Sequence, residues 1–264
     1  MRTLLMLLAI LAVPGATQAQ EAGAIRGGWV AEVEGHTHVY LLIVRGAVVT
    51  GTHCVECADP RNLGFIVGRV DSAGPHFTIR HDYGAGKVSV EDVRGVLKDH
   101  ELVLTPGRGS AHPQIVTLHR PVPPPPAPAR PAGARPAAAY VAPGPAQPLG
   151  ADQVLGLWLF GTGPGKQYFI IRRVGTQLLG LVCGPCDTPQ SMAPLDGFVI
   201  NGTDLRFNIV HEDTGGADVH GPFSNVAHAT LARNELHLKV IPSYAPADST
   251  PIEMTLLGPV LWRP

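Results

Sequence analysis

Two stretches of this 264-residue chain carry the same landmarks in the same order, and that duplication restricts its folds more than any other feature. At an offset of 129 residues, Gly27 meets Gly156, Trp29 meets Trp158, Gly46 meets Gly175 and Gly51 meets Gly180. Cys54 and Cys57 meet Cys183 and Cys186, then Pro60 meets Pro189, Gly68 meets Gly197 and Val70 meets Val199. After one inserted residue, Phe77 meets Phe207, Ile79 meets Ile209, and His81-Asp82 meets His211-Glu212. The period is longer than that of solenoid repeats, so each copy is a domain and not a turn of an array. The domains are expected at 25–120 and 151–260. Between them, 121–150 is dominated by Pro and Ala ("PVPPPPAPARPAGARPAAAYVAPGPAQP", Pro121 to Pro148). Such a segment buries no core and favours extended conformations, so it reads as a semi-rigid spacer, or alternatively a dock for a proline-recognising partner.

Within each copy, short alternating runs separated by turn residues predict half-buried strands. In the first copy they are Gly28–Glu34, Thr37–Arg45, Ala47–His53, Gly64–Asp71, His76–Asp82, Val88–Leu97, Glu101–Thr105 and Gln114–Arg120. In the second they are Leu155–Gly161, Gln167–Arg173, Thr176–Val182, Pro194–Asn201, Asp204–His211, Val219–Ala232, Glu235–Ile241 and Ile252–Gly258. The 31 Gly and 26 Pro suit this all-β reading, and no window has a helical period. Eight strands with short links make an up-and-down antiparallel meander. Closing it removes the exposed edges, so two tandem small barrels are expected, with β-sandwiches as the alternative.

The N-terminus reads as an export signal ending near Ala19 (1–19). Arg2 precedes a ten-residue apolar run, Leu4 to Val13, and small residues follow. The run is too short to span a membrane, so no span remains after cleavage. The mature chain is then expected to be secreted or periplasmic, where disulfides persist. With 20 Lys plus Arg against 21 Asp plus Glu, it lacks the basic excess of a nucleic-acid binder.

A meander alternates strand direction, so loops 1–2, 3–4, 5–6 and 7–8 of each copy gather on one rim. His36, His38, His53, Cys54, Cys57, His81, Asp82 and His112 are expected there in the first copy. Cys183, Cys186, His211, Glu212 and Asp213 are expected there in the second. Three chemistries compete. Cys54 with Cys57 and Cys183 with Cys186 could close as local disulfides, as export favours. Each Cys pair plus His81 or His211 could hold zinc or Cu(I), with His53 or Asp82, and Glu212 or Asp213, as a fourth ligand. Thiol–disulfide exchange is the third, and a thiol- or metal-dependent enzyme with Cys54 or Cys183 as nucleophile is a further functional alternative. No helix is expected to lower a thiol pKa, and no hydrolase or phosphate-loop motif occurs, so no catalytic residue is assigned.

Gly27-Gly28-Trp29 and Gly156-Leu157-Trp158 place Gly-x-Trp at the start of strand one. This resembles the opening of lipocalins, within the calycin group of barrels that includes avidins. The resemblance implies a barrel whose mouth holds a small, often apolar molecule, and an Arg near the end of strand eight, met by Arg120 in the first copy. The family's Thr-Asp-Tyr signature is replaced by "KDHE" and "ARNE". Trp29 and Trp158, with Gly27 and Gly156, are expected to be structural, each an aromatic plug beside a close-packing glycine. The expected function is therefore binding of a small ligand or metal at the Cys/His rim of each barrel. The alternative is a structural or interaction module of the cell envelope with disulfide-stapled loops, an envelope protein being its candidate partner.

Overall fold

In this computed structural model the described residues are 23–260, apart from 58, 60–61, 84–86, 109, 111–112, 123–144, 162–164, 185, 187–188, 212–222 and 244–249. The expected signal and most of the spacer lie outside them. No helix among the described residues is long and apolar enough to cross a membrane.

The first copy is one meander: β1 (Gly27–Val33), β2 (His36–Arg45), β3 (Val48–Val55), β4 (Leu63–Asp71), β5 (Gly74–Asp82), β6 (Val88–Lys98), β7 (Glu101–Pro106) and β8 (Val116–Leu118). Val30 and His119 exchange two backbone hydrogen bonds of 2.9 and 2.8 Å, bringing the last strand back to the first. The second copy is a closed barrel of β9 (Gly156–Phe160), β10 (Gln167–Val174), β11 (Gln177–Cys183), β12 (Met192–Asn201), β13 (Asp204–His211), β14 (Phe223–Ala232), β15 (Glu235–Ile241) and β16 (Ile252–Val260). The expected meander order holds in both copies. The strand expected at Gln114–Arg120 is shorter, because only Val116–Leu118 keeps the β7 ladder before His119 turns to Val30.

Alternation produces the cores. In β5, Phe77, Ile79 and His81 point inward between more exposed neighbours. In β6, Val93 and Gly95 do the same. A duplicated plug closes one end of each barrel. A helical turn buries Ile25 in one copy and Val154 in the other. Gly27 and Gly156 then follow at φ 104° and 132°, a backbone that side chains disfavour. The Trp29 and Trp158 indoles donate to the Ile25 and Val154 carbonyls at 2.7 and 2.9 Å. Both indoles are thus buried and hydrogen-bonded in the same way at matched positions of the two copies.

Strand β2 departs from alternation: Val39 to Ile43 are buried without a break. A strand buried on both faces reads this way. Its inner face feeds the barrel core, and its outer face packs on the second barrel. Val39, Leu41, Leu63 and Phe65 of one barrel share a cluster with Leu157, Ile170, Leu179, Leu181 and Met192 of the other. Arg45 pairs with Asp196 across this contact at 2.8 Å, and Asp196 also accepts from Asn208 Nδ2 at 3.1 Å. Corresponding faces meet, since Val39, Leu41 and Leu63 occupy the repeat positions of Tyr168, Ile170 and Met192.

Candidate functional site

The mouth of the first barrel opens into a cavity of about 500 Å³. Its rim comes from loops 1–2, 3–4, 5–6 and 7–8, as meander geometry requires, through residues such as Glu34, Glu56, Tyr83 and Gln114. Part of the wall is apolar, built from Val33, Ile79, Val93, Leu104 and Val116. The rest is polar and centres on one row of the sheet.

That row follows the strand register. Tyr40 lies opposite His53, His53 opposite Gly64, Gly64 opposite His81, and His81 opposite Ser89. All of these face inward. A Cβ on Gly64 would sit 2.5 Å from His81 Nε2, so the missing side chain is what admits the imidazole. His53 bridges two neighbours, with Nδ1 3.0 Å from His81 Nε2 and Nε2 3.1 Å from His38 Nδ1. Each contact needs one proton between two nitrogens, and three neutral rings supply it. One further proton on His53 also fits, since it then donates to both neighbours.

Tyr40 stacks obliquely on His53 with centroids 4.3 Å apart, and Tyr83 stacks on His81 at 5.7 Å. Burial, and then the Glu91 carboxylate, push the Tyr40 hydroxyl well above its usual range; the same two causes raise Tyr83. Glu91 therefore acts on both phenols from the inner face of β6.

The second barrel fills the same row differently. The Trp29–Tyr40–His53–Gly64 positions become Trp158–Phe169–Val182–Ala193, paired in the same register. Phe169, Val182 and Ala193 all belong to its apolar core. The serine opposite the last histidine becomes Phe223, whose ring stacks on His211 at 4.3 Å, while Asn225 Nδ2 lies 3.4 Å from His211 Nε2.

The structure places the expected residues on two sides of the sheet. His53 and His81 face the cavity. Cys54 lies within β3 and Cys183 ends β11, so neither stands on a rim loop, and alternation turns both sulfurs outward. Cys54–Cys57 and Cys183–Cys186 are disulfides, buried where the two barrels meet. The combined Cys/His ligand sets are not brought together, because His53 and Cys54 are adjacent on one strand and point apart. Asp82 is exposed on the outer face and acts electrostatically on the Arg172 guanidinium, whose pKa burial pushes down. His211 ends β13 on the second barrel, while Glu212 and Asp213 lie outside the described residues. The histidine chain also fails to converge: His53 spends a different nitrogen on each neighbour, so no single point meets three ring nitrogens. Among the described residues no group of three His, Cys, Asp or Glu is arranged around a common point for a metal.

Tyr40, Tyr83 and Glu91 are site residues that sequence reading missed. Their signal was positional: Tyr40, His53, Gly64 and His81 fall on inward positions of four consecutive strands, each one ladder step from the next. Arg120 lies just past β8, its guanidinium 3.8 Å above the Trp29 ring and donating to the Gly28 and Ala24 carbonyls at 3.2 and 2.6 Å.

No family model matches the sequence, and no curated protein matches it significantly. A solved structure of a protein of unknown function from the DUF3598 family of Nostoc punctiforme aligns over 91% of this chain and 97% of that one, at 12% identity. Its TM-score of 0.21 carries no argument about fold or function.

Proposed function

We propose that this is an exported binding protein whose first barrel takes a small amphipathic molecule, with the second barrel as its packed structural partner. One observation carries the reading: a cavity of about 500 Å³, apolar on one wall and lined on the other by a histidine–tyrosine row, at the mouth of one barrel of a duplicated pair. Cavities of this size that combine apolar walls with a few placed polar groups are the ordinary form of small-molecule sites. The Gly-x-Trp openings and the Arg120–Trp29 contact favour a calycin-like barrel, in which the mouth is the binding end. The two disulfides accord with an oxidising compartment, periplasmic or extracellular. Replacement of the polar row by Phe169, Val182 and Ala193 supports a structural role for the second copy.

The test is binding of a neutral, environment-sensitive naphthylamine dye to the whole chain and to Val116→Trp, which puts an indole into the cavity from the mouth strand. The reading expects saturable dye enhancement that Val116→Trp abolishes while the far-ultraviolet spectrum is unchanged. Equal binding by both proteins would move the site elsewhere.

A further inference from the structure

The charges facing the cavity are one-sided. Glu34, Glu56 and Glu91 line it beside four histidines, and among the described residues no Lys or Arg does. Glu34 is held by Gln114 at 2.7 Å, and Glu56 stands 3.5 Å from His36 at the exposed rim. Glu91 differs, because it lies deeper, on the inward face of β6 among Val93 and Ile79, and makes no ion pair among the described residues. A half-buried carboxylate beside an apolar wall gains from a counter-charge that meets it. Lys87, whose ammonium lies 5.7 Å from the Tyr83 ring, is not among the residues that line the cavity.

A second observation points the same way. Tyr40 is only 4% exposed and lines the cavity, yet its hydroxyl meets no hydrogen-bond partner among the described residues. The hydroxyl is thus left to a partner that enters the cavity. The cavity thus presents an uncompensated carboxylate, a phenol oxygen able to accept, and two aromatic faces beside an apolar wall. A protonated amine answers all of these together: it pairs with Glu91, donates to Tyr40, and lies against the electron-rich ring faces.

Resting on the first barrel being the ligand site, we infer that its ligand is an organic cation, a protonated amine carried on an apolar body. The same carboxylates disfavour fatty acids and other anionic amphiphiles. The carbon skeleton packs on Val33, Leu104 and Val116, and the ammonium faces Glu91.

Three probes of one shape separate the possibilities at neutral pH: 1-naphthylmethylamine, 1-naphthylmethanol and 1-naphthylacetic acid, titrated calorimetrically into the full chain. The amine should bind at least about tenfold tighter than the alcohol, the equivalent of one charge-assisted hydrogen bond, and the acid weakest. Glu91→Gln should bring the amine down to the alcohol's affinity and leave the alcohol unchanged. Tyr40→Phe, which keeps the ring, should weaken the amine several-fold. Equal affinities for amine and alcohol, preference for the acid, or an unaltered amine affinity in Glu91→Gln would overturn the inference while leaving the cavity a ligand site. If none of the three binds, the ligand-site reading itself falls and the inference falls with it.

Discussion

Gly64 and His81 face each other across the β4–β5 ladder, and a methyl group at Gly64 would lie 2.5 Å from the His81 ring nitrogen. The glycine makes room for the histidine chain. Gly64→Ala should displace His81 and cost about 1–3 kcal/mol, the usual penalty of overpacking. Chemical denaturation measures the cost. The second copy carries Ala193 at the same position, opposite Val182, so there the methyl is already accommodated. A Gly64→Ala protein as stable as the parent would show that the cavity wall yields freely.

The shared apolar cluster makes the two barrels one cooperative unit. Ile170 is fully buried between them. Ile170→Ala should cost about 2–5 kcal/mol, as core truncations do. Denaturant unfolding should remain a single transition, reported alike by Trp29 and Trp158 fluorescence in single-tryptophan proteins. Two separated transitions would mean that the barrels are independent.

The disulfides close very short loops, three residues apart in sequence. Chain entropy then stabilises by only about 2 kcal/mol for each. Cys54→Ser with Cys57→Ser should lower stability by about that amount and leave dye binding intact, because the sulfurs face the other barrel and not the cavity. Loss of binding in this variant would place the cysteines in the site.

Alkaline titration tests the burial of Tyr40. Its hydroxyl is raised by burial first and Glu91 second. An unfolded tyrosine ionises near pH 10, so below that value both states keep the proton and stability is unaffected. As pH rises above about 10, the unfolded chain releases a proton that the folded chain retains. Stability then falls, by at most about 1.4 kcal/mol per pH unit from this group. Tyr40→Phe should fall less steeply in denaturation curves measured from about pH 8 to pH 11. Parallel curves would mean that Tyr40 is open to water.

Much of the architecture was legible because landmark residues recur. The Gly–Trp pairs, the paired cysteines and the His-acid positions fix the order of strands in both copies, and alternation places most boundaries within a few residues. The site was less legible for a specific reason. Reading His53, Cys54 and Cys57 as a rim loop merged two faces that a strand separates, because β3 runs on to Val55 and keeps its ladder with His38. The inter-barrel contact had a signal, the unbroken apolar run Val39 to Ile43, which alternation alone does not explain. The difference between the copies needed register: only when Tyr40, His53, Gly64 and His81 stand in one row does their replacement by Phe169, Val182 and Ala193 become visible.

The most direct test of the account is the number of ligands per chain. Isothermal titration of the duplicated protein with 1-naphthylmethylamine should give a stoichiometry near one, and Val116→Trp in the first barrel should remove the binding. Two equivalent sites, or one site that survives Val116→Trp, would contradict the assignment of binding to the first barrel's cavity.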